Sequence, residues 1–313
     1  MPGANRTAFG AVLILGGMMV LGITDNFVRL VSDDVGLWQF HLLRSAMALP
    51  ILALGALAFG VALRPKNLRA VAARSAAQTA AMLLYFGALP MMPVSQVAAA
   101  LFSAPLWVLL ISAAVFGRRI APRPAFAAAL GFAGVLVMLR PDPQNLSLLA
   151  LMPLAAGALY GFSNILTREW CGEESVATLV GGFFAGLALS AAAALAVLAV
   201  VTPPDAWRAA APFLTDGWRP VTAGVAFWIL VQALGALIAV GMIARGYQSG
   251  PTGTLAVFEY SFILTISFWA WILWGEALAP VDFIGIAMIV GSGVVIATGP
   301  QAPSATVSPA ERA

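Results

Sequence analysis

Charged side chains are scarce in this sequence: they make up 9% of its 313 residues, against 61% hydrophobic. Soluble domains carry about 25% charged residues, so the scarcity excludes an ordinary aqueous surface and makes lipid the solvent. Cysteine is nearly absent as well. Cys171 is the only one, which excludes a disulfide framework and a thiolate metal cluster. His41 is the only histidine. The chain has no H-E-x-x-H, no G-x-S-x-G and no P-loop, so metal-dependent, nucleophilic and ATP-hydrolysing chemistry lack the residues they need. No catalytic residue, metal or cofactor is expected, and no enzymatic activity. The net charge of +3 does not point to nucleic acid, because the arginines sit at the ends of apolar runs and form no basic stripe for phosphates to follow.

What the sequence has instead is a succession of long apolar runs. A membrane-crossing helix needs roughly 20 mostly apolar residues, and ten candidate spans fall near 9–30, 36–60, 75–92, 94–116, 125–139, 147–167, 176–201, 221–244, 253–274 and 281–299. Runs such as Gly181–Leu189 do not alternate polar with apolar, as the strands of a membrane barrel would. Arg6 followed by an apolar run resembles a signal peptide. That run continues through Val20 and Gly22 without a small-residue cleavage site, so it reads as a retained first span. The longest connection is Thr202–Pro220, and residues 300–313 read as a disordered tail. Basic residues set the orientation. With the N-terminus inside, Arg6, Arg64, Lys66, Arg69, Arg74, Arg118, Arg119, Arg123, Arg168, Arg245 and Arg312 fall on the inner side. Arg29, Arg140, Arg208 and Arg219 fall outside, and Arg44 lies within a span. Both termini are therefore expected in the cytoplasm.

The most informative feature is an internal repeat. Shifted by 158 residues, Gly117-Arg118-Arg119-Ile120-Ala121-Pro122 falls on Gly275-Glu276-Ala277-Leu278-Ala279-Pro280, Pro93 on Pro251, Ala98 on Ala256 and Ser103 on Ser261. Five spans per half is an odd number, so the second half must cross the membrane in the opposite sense. The expected architecture is all-α, with ten transmembrane helices in two inverted five-helix repeats, 8–140 and 147–299. Inverted repeats with a site at their interface are a recurring transporter construction.

Five-plus-five spans, the F-G-R-R-I-A-P motif of residues 116–122 and the stretch from Val257 to Ala297 resemble the drug/metabolite transporter superfamily, EamA-domain branch. The resemblance covers residues 8–299. Members carry a Gly-Glu pair after spans four and nine; Gly275-Glu276 matches, whereas Gly117-Arg118 departs. Phe258-Glu259-Tyr260 is similar to the branch that includes riboflavin, S-adenosylmethionine and organic-anion carriers. The resemblance implies a secondary transporter and leaves its cargo open, because this scaffold moves amino acids, nucleotide sugars, choline and drugs.

Ionisable and polar groups at membrane depth are costly and face the bundle interior. Glu259 lies about six residues into span nine, roughly 9 Å deep. It suits an amine-bearing substrate or a proton carrier; a fixed ion pair between helices is the structural alternative. Arg44, about 12 Å deep in span two, suits a substrate carboxylate, or it neutralises Asp25 or Glu259. His41, one turn earlier, and Asp25, near the outer end of span one, are further proton-coupling candidates. Tyr160, Ser163, Asn164 and Thr167 form one polar face of span six, which lines a site or bonds between helices. Gln78, Met82 and Tyr85 on span three and Trp228 and Gln232 on span eight form similar faces. Phe102 and Tyr260, equivalent at the 158-residue offset, could stack on a planar or cationic substrate or pack as ordinary core. The spacings Gly157/Gly161 and Gly182/Gly186 permit close helix approach.

The substrate-binding set expected from sequence is thus Glu259, Tyr260, Phe102, Tyr85, Arg44, Asn164, Tyr160, Trp228 and Gln232. The expected cargo is a small organic metabolite with an amine, such as an amino acid. A larger organic cation or planar cofactor, or an anion held by Arg44, is the alternative. Expected partners are the small-molecule substrate and the lipid bilayer, and the glycine-rich spans are compatible with a homodimer. Heavy use of alanine, arginine and leucine with a single lysine fits a high-GC bacterium, hence an inner membrane.

Overall fold

A computed structural model describes residues 3–88, 94–141 and 151–298 of the chain, and every regular element among them is helical. The order is α1 (Gly3–Thr24), α2 (Leu37–Ala58), α3 (Leu68–Ala88), α4 (Val94–Leu101), α5 (Ala104–Phe116), α6 (Pro122–Leu139), α7 (Leu151–Glu169), α8 (Val176–Val200), α9 (Asp205–Ala210), α10 (Pro212–Thr215), α11 (Ala223–Ser249), α12 (Thr252–Leu255), α13 (Ser261–Trp274) and α14 (Asp282–Ala297). A 3₁₀ turn, Asp25–Leu30, extends α1, and another, Ala256–Tyr260, joins α12 to α13. Short α9 and α10 lie in the long connection between α8 and α11. The expected tail, 300–313, lies outside the described residues.

Among the described residues, seven helical stretches are long and apolar enough to cross a membrane. Each of the ten apolar runs overlaps a described helix, but α3, α7 and α14 fall short of that criterion. The reasons are physical. Helix α14 has only 16 residues. Helices α3 and α7 bury polar side chains, Arg74, Ser75, Gln78 and Thr79 on one and Ser163, Asn164 and Thr167 on the other, and a helix shielded by protein needs less apolar surface. Helix α3 also starts at Leu68, seven residues before the expected start of span three. Arg74 is consequently no loop charge: it is 1% exposed, inside a helix.

Spans four and nine are broken at the same place. Helix α4 stops at Leu101 and α5 starts at Ala104, while the second break ends at Tyr260, with α13 starting at Ser261. At each break a serine hydroxyl donates to the carbonyl three residues back, Ser103 to Ala100 at 2.5 Å and Ser261 to Phe258 at 2.7 Å. Such back-bonding competes with the helical ladder and bends helices. Helices α5 and α13 then end in left-handed glycines, Gly117 and Gly275, with φ of 61° and 70°, a conformation that suits a residue without a Cβ. The serines, the carbonyls they bond and the glycines are each 158 residues apart.

The packing has the same character. Helix α1 lies on α11 and α13, α7 lies on α3 and α5, α2 packs on α8, and α6 packs on α14. Exchanging the two halves interchanges the first two sets and leaves the other two in place. Close approach rests on glycine. A Cβ on Gly134 of α6 would stand 2.8 Å from the Gly285 carbonyl oxygen of α14, and one on Gly285 would stand 2.7 Å from that of Gly134. Gly157 and Gly161 of α7 let it approach the backbone of the first break, and Gly182 and Gly186 of α8 receive Ser75 and Thr79 of α3.

The connections fall into two sets, each tied within itself. In one, Trp38 donates to the Leu214 carbonyl at 2.8 Å, Gln39 exchanges hydrogen bonds with the Arg219 backbone, Arg29 pairs with Glu276 at 2.8 Å and Arg140 pairs with Asp282. In the other, the Glu174 carboxylate accepts from the backbone N–H groups of Lys66 and Asn67, Gln248 donates to the carbonyls of Cys171 and Glu174, and Arg118 pairs with Glu169 at 3.0 Å.

Candidate functional site

The second helix break carries a carboxylate. Glu259 sits in the 3₁₀ turn between α12 and α13 and is 3% exposed. The α7 polar face supplies its partners: the Tyr160 hydroxyl donates to Oε1 at 2.8 Å, and the Asn164 amide donates to the same oxygen at 3.3 Å. Tyr247, fully buried near the end of α11, faces the same carboxylate, yet its hydroxyl completes no hydrogen bond. Among the described residues no cation pairs with Glu259. A carboxylate held by neutral donors in a lipid-surrounded interior lacks a countercharge, and that is a place for a cation to arrive.

Below this group, on the same face of α7, Thr167 accepts from Nε of Arg74 at 3.1 Å, and the Leu179 carbonyl accepts from its Nη1 at 3.0 Å. Sequence reasoning missed both Arg74 and Tyr247. Arg74 stands one turn before Gln78 on the α3 stripe, and that position was the available signal.

The other ionisable residues gather elsewhere, where α2 meets the end of α1. His41 is fully buried, and Nδ1 of its ring lies 3.4 Å from Nη2 of the buried Arg44. The Arg44 guanidinium stands 5.1 Å from the Phe40 ring centroid. Its electrostatic partner is Asp25, which also acts on Tyr85; Glu259 is not among its partners. His41 packs edge-on against Phe86, which touches Tyr85. The structure thus groups Asp25, His41, Arg44 and Tyr85 together, separately from Glu259.

The remaining expected site residues are engaged in packing. Tyr260 is fully buried, donates to the Ala128 carbonyl at 3.0 Å and fills the notch left by Gly131 of α6. Phe102 stacks on Phe262 at 5.5 Å in the same core cluster. The symmetric pair therefore does not converge on one ligand position. Trp228 stacks on Phe27 at 4.6 Å, and Gln232 donates to the Thr24 carbonyl where α1 gives way to its 3₁₀ turn. These two residues hold the end of α1, and with it Asp25.

Residues 8–140 match the EamA-like transporter family. That stretch is an EamA-like domain, and it covers the first of the two repeats. Among its relatives, a riboflavin transporter of Rhizobium johnstonii is 24% identical over 65% of this chain, and the match spans 62% of that transporter's length. An uncharacterized transporter of Helicobacter pylori is 22% identical over 94% of this chain and 96% of its own. A pseudopaline exporter of Pseudomonas aeruginosa is 22% identical, with 90% and 93% covered. One solved crystal structure aligns over 94% of this chain and 98% of its own, with a TM-score of 0.74 at 19% identity, which establishes likeness of fold. The family match over residues 8–140, the relatives named as transporters and the seven described helices long and apolar enough to cross a membrane all support a multi-pass membrane protein of the transporter kind.

Proposed function

We propose that this protein is a transporter of the EamA kind that moves a small amine-bearing organic solute, such as an amino acid, by alternating access, with Glu259 as the anchor for the amine. The observation that carries the reading is Glu259 itself: 3% exposed, accepting from Tyr160 and Asn164, with no cationic side chain paired to it among the described residues. An ammonium group would supply the missing charge, and charge-assisted hydrogen bonds are the strong ones. Either a proton carried on Glu259 or exchange of one solute for another would drive the cycle. A larger organic cation or planar cofactor is the second reading, favoured by relatives named for riboflavin and pseudopaline. An organic anion on Arg44 is less well supported, because Asp25 already compensates that charge.

Ten spans in two inverted repeats, 8–140 and 147–299, account for the packing that survives exchange of the halves, and for two breaks at one offset. An inner-membrane orientation with both termini in the cytoplasm is supported by the ion pairs. Arg29–Glu276 and Arg140–Asp282 join residues assigned to the outside, and Arg118–Glu169 joins residues assigned to the inside. A homodimer is compatible with this arrangement and is not required by it.

The test is thermal stability of the detergent-purified protein against amino acids, organic cations, carboxylates and flavins, since a ligand of the folded state raises the melting temperature. Amine-bearing solutes should stabilise the wild type and not Glu259→Gln. Stabilisation by anions alone, lost in Arg44→Gln and retained in Glu259→Gln, would move the site to the other cluster.

A further inference from the structure

Two buried charged residues that meet one face of α7, Glu259 and Arg74, have no ion-pair partner among the described residues. Glu259 is the anion. Arg74 is the cation: 1% exposed, it bonds only neutral acceptors, the Thr167 hydroxyl and the Leu179 carbonyl. A guanidinium has five N–H donors, and the bonds of Arg74 to Thr167 and Leu179 occupy two of them. Arg44 differs, since the Asp25 carboxylate lies within electrostatic range of it. Burying an arginine this deeply in a membrane protein marks a functional position or a helix lock; the bonds to Thr167 and Leu179 join α3 to α7 and α8 and leave the charge itself without an anion among the described residues.

The spacing is informative. Arg74 is anchored at Thr167, and Glu259 at Asn164 and Tyr160. Those residues are three and seven positions apart on α7, so the anchors are separated by roughly 5 to 10 Å along the helix. A molecule with an amine at one end and a carboxylate at the other, hydrogen-bonded at about 2.8 Å on each side, spans that interval. An amine alone would leave the guanidinium unanswered.

We propose that Arg74 is the anion anchor of the site in which Glu259 holds the amine, so that the cargo is a zwitterion carrying an amine and a carboxylate. The inference rests on the amine reading of Glu259 and adds the second charge to it. Tyr160 donates to Glu259 and lies within electrostatic range of Arg74, so it links the surroundings of the two charges.

Calorimetric titration of the purified full chain tests this with matched probes: L-leucine, 4-aminobutyrate and 6-aminohexanoate, each beside the amine that remains when its carboxylate is removed (3-methylbutylamine, propylamine and pentylamine). Wild type should bind at least one zwitterion about 10- to 100-fold more tightly than its amine, the range expected of a charged hydrogen bond. Arg74→Gln should erase that preference while leaving amine binding in place, and Arg74→Lys should restore part of it. A purely structural Arg74 would lower ligand-free stability without changing the preference. Equal binding of zwitterions and amines by wild type and Arg74→Gln overturns the role of Arg74 and leaves the amine site standing. No binding by any probe, or binding unchanged in Glu259→Gln, overturns both.

Discussion

The fold contains the same helix break twice, and only one copy is charged. Leu101 ends α4 at the first break; the residue 158 positions later, at the second, is Glu259. Both breaks have the serine that bonds back to the helix, and both helices end in a left-handed glycine. The breaks differ in what α7 brings to them. At the first, Gly157 and Gly161 bring α7 against the backbone carbonyls of Ala100, Leu101 and Ala104. At the second, Tyr160 and Asn164 of the same helix present donors. One helix thus packs its small residues against one break and presents its polar ones to the other. The break belongs to the architecture, and the carboxylate gives it a use.

That contrast can be broken in graded steps. Glu259→Leu, which makes the second break like the first, should abolish amine binding and transport, a loss of about 100-fold or more for a buried charged partner, with substrate-induced melting shifts as the readout. Gly157→Ala should be the most damaging change at the first break. Its Cβ would stand 2.9 Å from the Ala100 carbonyl oxygen and 3.1 Å from that of Leu101, backbone atoms that cannot turn aside, and overpacking of this kind costs about 1–3 kcal/mol. Its melting temperature should fall without any change in solute selectivity. Tyr160→Phe removes one of two donors to the carboxylate and should weaken amine affinity about 10-fold in a direct binding titration. Ser103→Ala and Ser261→Ala should have the smallest effects, about 0.5–1.5 kcal/mol each. Denaturation of the two variants should give similar values if the breaks are built alike.

Much of this was legible in the sequence. The ten apolar runs overlap the long helices, and the 158-residue offset paired Ser103 with Ser261 and Gly117 with Gly275, although it gave no sign that the helices break at the serines. The α7 face of Tyr160, Ser163, Asn164 and Thr167 followed from its i, i+3, i+4, i+7 spacing, and two of its members meet Glu259. Arg74 was not legible. Hydropathy ends a span at the first charge, and Arg74 lies six residues inside a helix whose polar side is hidden by its neighbours. Tyr260 was misleading for the opposite reason. Adjacency to Glu259 and symmetry with Phe102 suggested a ligand contact, whereas its ring answers to Gly131, a partner 129 residues away that only the folded chain brings near. Sequence periodicity reports which face is polar; it does not report which polar residues share a partner.

The most direct test is chemical labelling of buried carboxylates. A lipid-soluble carbodiimide should modify Glu259 in the detergent-purified protein, detected by mass spectrometry of the 252–274 region, and the amines and amino acids that raise the melting temperature should protect it while butyrate does not. Stabilising amines that leave labelling of Glu259 unchanged would show that the ligand binds elsewhere, and would contradict the assignment of the second break as the substrate site.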